Sequence, residues 1–148
     1  MKPRDIIILA VIALLGCFLA SCNNDKQVNQ LVTQANQLQS EGKYDKSLET
    51  LNRALKLNPS GKVETRILLE RSMIYVDLNQ FENALNDLKK ILDSSVQDKT
   101  KATALLTRGY IFYQQQKYAE ALEEFERVKK LVEEPSMLAY LYQLEGST

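Results

Sequence analysis

Apolar side chains recur at helical spacing along most of the chain, in segments separated by short polar turns. Leu31, Ala35 and Leu38 fall on one face of a first helix, and Leu48 and Leu51 begin the apolar face of the next. This spacing predicts amphipathic helices, because a strand would alternate every second residue. We therefore expect helices at 26–41, 44–57, 62–79, 81–93, 98–115 and 118–133.

The pattern repeats along the chain. Tyr44, Phe81 and Tyr118 stand 37 residues apart, and leucines, aromatic residues and small residues recur around them in the same order. Self-similarity at such a period is typical of repeat proteins, in which stacked helix pairs bury a shared core. Small residues at equivalent places would let the two helices of a pair approach closely; they are Ala35, Ser72 and Gly109 in the first helix and Ser47, Ala84 and Ala121 in the second.

The order of these large and small residues resembles the tetratricopeptide repeat, a helix–turn–helix unit of about 34 residues. Asn58-Pro59 matches the family's terminal proline, whereas Val96 and Glu133 replace it in the other two copies, and Ser47 replaces the usual alanine. The resemblance implies three repeats within 28–135, at 28–61, 65–98 and 102–135. Pro135 should end the sixth helix, and Ser136 is suited to cap a seventh.

The predicted fold is therefore all-α, a tetratricopeptide-like α-solenoid of three helix–turn–helix repeats. We expect residues 136–148 to form a short C-terminal capping helix and tail.

Before the repeats, residues 1–21 have the organisation of a bacterial lipoprotein signal peptide. Lys2 and Arg4 precede an uncharged, mostly apolar stretch at 6–20, and small residues follow it. The sequence Leu-Ala-Ser-Cys ending at Cys22 resembles the lipobox of bacterial lipoproteins. That resemblance implies cleavage before Cys22 and attachment of lipid to its thiol. We expect residues 22–27 to contain the lipidated cysteine and a short linker.

Two other interpretations of this N-terminal segment stay open. Fifteen apolar residues span about 22 Å as a helix, which is short of a hydrocarbon core of about 30 Å, so a transmembrane anchor is the weaker alternative. Cys22 could also be an ordinary residue after a conventional signal. On the lipoprotein interpretation, two or three acyl chains hold the protein durably on a membrane.

The predicted location is a bacterial membrane outside the cytoplasm. If the host has two membranes, the resemblance to lipoproteins implies the outer one: in one sorting scheme of that class an aspartate directly after the cysteine retains the protein in the inner membrane, and here that residue is Asn23.

Composition argues against catalysis and nucleic-acid binding. The chain has 19 Lys plus Arg, 19 Asp plus Glu and no His, so it lacks the commonest general base and a basic excess. It has no phosphate-binding glycine loop and no zinc-ligand spacing. We expect no enzyme activity, no cofactor and no metal. On α-helical spacing, Glu123 with Arg127 and Glu126 with Lys130 should form solvated pairs.

The tetratricopeptide resemblance also implies a binding groove lined by the first helix of each pair. Of the residues with which one subfamily clamps a peptide carboxylate, only Asn36 has its match here, so we predict no carboxylate clamp. Adaptable methionine and amphipathic tyrosine suit recognition of a peptide or helix. The predicted groove residues are Asn36, Arg66, Glu70, Met73, Asp77, Tyr110 and Tyr113.

From these features we predict a membrane-anchored protein–protein interaction module or scaffold in the bacterial cell envelope. Its expected partners are other proteins or peptide segments near the membrane surface. The alternative is a self-associating structural protein of the envelope, which would form homo-oligomers.

Overall fold

The computed structural model describes residues 24–131, and in this range its regular elements are all α-helices. The all-α prediction is confirmed. The signal peptide, Cys22 and the capping segment 136–148 lie outside the described residues. The helices are α1 (24–40), α2 (Tyr44–Lys56), α3 (Gly61–Asp77), α4 (Phe81–Asp93), α5 (Asp98–Gln114) and α6 (Tyr118–Lys129).

The predicted helix positions hold, with shifts at several ends. Residues 24 and 25 are already helical, so α1 overlaps the predicted linker at 22–27. The sixth helix was expected to reach residue 133 but ends at Lys129. The Leu131 amide bonds to the Val128 carbonyl oxygen at 2.9 Å, three residues back, which tightens the chain into a turn.

The chain divides into two compact units, one ending at Ile67 and the other beginning at Leu68. In the first unit, α1 and α2 contribute buried side chains that include Val28, Leu51 and Ala54. The buried Ser47 hydroxyl donates a hydrogen bond to the Ala35 carbonyl oxygen at 2.8 Å. Serine is therefore accommodated where the family usually has alanine, because its polar group has a partner.

In the second unit, α5 packs closely on α6. The buried apolar side chains of this pair form one cluster, made of Ala102, Leu105, Ala121, Phe125 and Val128. The two helices approach closely at Gly109, since a Cβ there would lie 2.5 Å from Cε1 of Phe125. Glycine is required at this place because the phenyl ring already occupies the space of a methyl group.

The turn between the two helices of a pair has the same geometry three times. Gly42, Asn79 and Gln116, which stand 37 residues apart, all have positive φ (70°, 56° and 61°). The next amide bonds five residues back each time, as in Lys43 to Leu38 at 2.8 Å. This is the Schellman end of a helix, so the sequence repeat is also a repeat of backbone structure.

Candidate functional site

A cleft of about 200 Å³ lies between α3 and α5 in the second unit. Side chains on one face of α3 form one wall, and side chains spaced by one helical turn on α5 form the other. We call this the α3–α5 cleft; its lining residues are Met73, Val76, Asp77, Leu106, Thr107 and Tyr110.

Exposed apolar surface dominates this cleft. Met73 is 42% exposed, a large fraction for an apolar residue, and the Tyr110 side chain is half-buried. The Tyr110 hydroxyl accepts a hydrogen bond from the Gln114 amide, one turn further along α5. The Thr107 hydroxyl donates to the Thr103 carbonyl oxygen at 2.9 Å. The cleft therefore offers an apolar floor with fixed polar edges, which suits an anchoring side chain of a peptide.

Asp77 gives the cleft its charge. It is exposed, it is the last residue of α3, and α3 has no basic residue in its last turn. The C-terminal end of a helix carries a partial negative charge, so the carboxylate and the helix dipole act in the same direction. The cleft therefore has a negative end.

Two ion pairs link the first helix to the second helix within the second and third repeats. The Arg71 guanidinium on α3 donates two hydrogen bonds to the Asp87 carboxylate on α4, both at 2.6 Å. Arg108 on α5 donates to both oxygens of Glu124 on α6 at 2.8 Å. Each ion pair fixes one helix of the cleft to the second helix of its own pair.

Both carboxylates are nearly inaccessible to solvent. The side chain of Asp87 is 1% exposed and that of Glu124 is 8% exposed. Burial by itself lowers the pKa of Arg71, but the hydrogen bonds and charge of Asp87 outweigh it and raise that pKa above its usual value. Arg71 thus stays cationic, and the pair is a structural crosslink.

The structure brings three of the predicted groove residues together, namely Met73, Asp77 and Tyr110 in the α3–α5 cleft. Glu70 is half-buried on α3, three residues before Met73. Tyr113 packs against the α5–α6 cluster and makes an edge contact with Tyr118, with ring centroids 5.7 Å apart. It therefore supports the wall of α5 rather than lining the cleft.

The predicted groove residues of the first unit lie on its surface. Asn36 is exposed on α1. The Arg66 guanidinium donates a hydrogen bond to the Asn29 side-chain oxygen, which ties the start of α3 to α1. Asn29 is also one of the residues around an open depression on α1. Asn36 and Arg66 stay predicted members of a binding surface.

Sequence reasoning missed the two ion pairs. The arginine and its acid are 16 residues apart, whereas helical spacing relates only residues three or four apart on one helix. A signal was present, because Arg71 and Arg108 stand 37 residues apart, as do Asp87 and Glu124. A charge that recurs with the repeat period at a place flanked by core residues indicates a buried partner.

Among residues 24–131, no helix is long and apolar enough to cross a lipid bilayer. In the same part of the chain, no three His, Cys, Asp or Glu side chains are grouped to hold a metal ion.

Comparison with family models finds the same repeat twice. Residues 69–133 match one model described as Tetratricopeptide repeat, and residues 33–60 match a second model with that description. Together the two matches cover more than half of the chain. No curated protein matches the chain in sequence.

Solved structures agree on the fold. The second TPR of Spaghetti (RPAP3), bound to the HSP90 peptide SRMEEVD, aligns with 81% of this chain and 98% of its own, at 23% identity and a TM-score of 0.65. The first TPR of Spaghetti, bound to the same peptide, aligns with 83% and 94%, at 20% identity and a TM-score of 0.66.

A third similar structure is the N-terminal domain of stress-induced protein-1 (STI-1) from C. elegans. It aligns with 82% of this chain and 97% of its own, at 17% identity and a TM-score of 0.69. At these identities the likeness concerns the fold.

Proposed function

Because the chain belongs to the tetratricopeptide repeat family, we propose that it is a lipid-anchored module that binds segments of other proteins in the bacterial cell envelope. The family supplies a rigid helical framework, and function has to be argued from a site on that framework. The proposal therefore has two parts, a binding cleft and a membrane anchor.

The observation that carries the binding part is the exposed apolar lining of the α3–α5 cleft. Met73 is 42% exposed beside the tyrosine ring of Tyr110, on helices held by buried ion pairs. Exposed apolar anchors on a rigid support favour peptide binding, because little ordering is required when the partner arrives. The two Spaghetti domains, which share the fold, are bound to a peptide.

The anchor part rests on the sequence around Cys22. An apolar stretch followed by Leu-Ala-Ser-Cys resembles the lipobox, and only Asn23 separates Cys22 from the first described residue of α1. A tether of one or two residues spans less than about 8 Å. The repeats would then stay at the membrane surface, and their partner would be an envelope protein presented there.

Self-association is the second candidate, and a different surface favours it. Tyr118 and Leu122 are 46% and 43% exposed and lie four residues apart on α6. Adjacent exposed apolar side chains are candidates for contact with another protein surface, including that of a second copy. Light scattering of the full-length protein in detergent would report this association as a doubled protein mass.

Affinity purification from crosslinked membranes tests the proposal. We expect the double variant Met73→Ala with Tyr110→Ala to lose the partners that the wild-type protein retains. The matched control is Leu122→Ala, which removes an exposed apolar side chain from α6 and keeps the Tyr113–Tyr118 contact that supports the α5 wall. Circular dichroism establishes that both variants are folded. Partner loss in the α6 variant alone would support self-association, and unchanged recovery in both would contradict binding through the cleft.

A further inference from the structure

The helices of this protein differ in how their C-terminal ends are charged. Three of them carry basic residues in the last turn, where a cation offsets the helix dipole. The first helix of each pair has none: α1 ends in Gln37-Leu38-Gln39-Ser40, and neither α3 nor α5 has a basic residue in its last turn. The basic residues are Arg53 and Lys56 in α2, Lys90 in α4, and Arg127 and Lys129 in α6.

Two of the three helices without terminal cations, α3 and α5, form the α3–α5 cleft. Asp77, the last residue of α3, lines it, and Tyr110 lines it one turn before α5 ends at Gln114. Two negative helix ends and one carboxylate therefore lie near the same apolar surface. Of the described residues that line the cleft, none is Lys or Arg.

We propose that the α3–α5 cleft selects a protein segment in which a lysine or arginine stands next to an apolar side chain, and that it disfavours acidic segments. The inference rests on the proposed binding function and adds the chemistry of the partner. The apolar side chain contacts Met73 and Tyr110, and the cation approaches Asp77. Such a segment contacts the apolar floor and the negative end of the cleft at the same time.

The size of the cleft agrees with such an anchor. Its volume of about 200 Å³ is below the roughly 300 Å³ at which small-molecule sites begin. It therefore has room for one or two side chains rather than a complete ligand. Because Asp77 is exposed, its pairing with a cation adds little affinity and mainly sets which sequence binds.

An acidic segment meets the opposite situation. Its carboxylate would approach Asp77, and no Lys or Arg among the described lining residues would neutralise it. The Thr107 hydroxyl already donates its hydrogen bond to the Thr103 carbonyl oxygen. Like charges in contact weaken binding. The HSP90 peptide SRMEEVD, with its two glutamates and terminal aspartate, is therefore a suitable acidic probe.

The test measures binding of labelled peptides to the full-length protein in detergent by fluorescence anisotropy. Three peptides with blocked ends share two leucines and differ at one adjacent position, which is lysine, glutamine or glutamate; SRMEEVD is the fourth probe. We expect the lysine peptide to bind about fivefold tighter than the glutamine peptide and the glutamate peptide to bind more weakly. Raising the salt concentration should shrink the difference.

Charge reversal locates the effect. In Asp77→Lys the order of the three peptides should invert, whereas the matched control Asp93→Lys, at the exposed end of α4, should leave it unchanged. Equal binding of all three peptides, or inversion in both variants, overturns the charge selection but leaves peptide binding intact. Failure of every peptide to bind overturns the selection as well and also counts against the proposed function.

Discussion

Gly109 shows how a single position adapts to its partner helix. A Cβ at this residue would lie 2.5 Å from one ring carbon of Phe125 and 2.9 Å from another. At the equivalent positions of the earlier repeats, Ala35 and Ser72 occur with Leu51 and Leu88 in place of the phenylalanine. The smallest residue thus accompanies the largest one, as close packing requires.

Gly109→Ala should therefore destabilise the protein by about 1–3 kcal/mol, because the added methyl group overpacks the α5–α6 contact. Phe125→Leu in the same chain should recover much of that loss, since it restores the pairing of the first repeat. Urea denaturation followed by circular dichroism measures both effects. If the losses of the two single variants simply added in the double variant, the steric explanation would be wrong.

Part of this packing could be predicted from the sequence alone. The period of 37 residues identified the small positions and the turns, because both recur with the helix pattern. It did not show that Tyr113 turns toward Tyr118 and the α5–α6 cluster. Tyr113 and Tyr110 are three residues apart on one helix, and periodicity does not determine which of two neighbouring tyrosines packs inward.

At the scale of helices, buried charge distinguishes the second and third repeats from the first. The equivalents of Arg71 and Asp87 in the first repeat are Gln34 and Thr50. The Thr50 hydroxyl is satisfied within its own helix by the Lys46 carbonyl oxygen at 2.8 Å. Neither arrangement leaves a buried carboxylate without a partner, but only the Arg71–Asp87 pair links two helices.

Asp87→Thr should destabilise the protein by about 3 kcal/mol, because it leaves the guanidinium of Arg71 without its buried partner. The double change Arg71→Gln with Asp87→Thr copies the first repeat and should lose distinctly less. Chemical denaturation of the three proteins checks this order. A double variant less stable than Asp87→Thr would show that the ion pair is not the source of the effect.

The surface pairs expected on α6 also differ from the structure. The sequence favoured pairs four residues apart, Glu123 with Arg127 and Glu126 with Lys130. Instead Arg127 lies 3.3 Å from Glu124, and Lys129 lies 3.2 Å from Glu126, both at a three-residue spacing. Because Arg108 on α5 fixes the Glu124 carboxylate, that carboxylate is in position to pair with Arg127 as well.

At the scale of the whole molecule, the anchor is the feature that stays a prediction. Cys22 lies outside the described residues, and the case for its lipidation is made by the sequence around it. Cys22→Ala should abolish lipid attachment and leave unprocessed precursor, because the thiol is the acceptor. Metabolic labelling with a fatty acid measures this directly, and label entering the variant at the wild-type level would reject the lipobox interpretation.

The central claim is that the α3–α5 cleft is the surface that holds a partner, and site-specific photocrosslinking in intact cells tests it most directly. A photoreactive amino acid replaces Met73 in one variant and Leu122 in the other; these residues are 42% and 43% exposed, so the two probes are matched. We predict a discrete crosslinked product from position 73 that weakens on Asp77→Lys, and none from position 122. The same product from both positions, or a product from position 122 alone, would contradict the account.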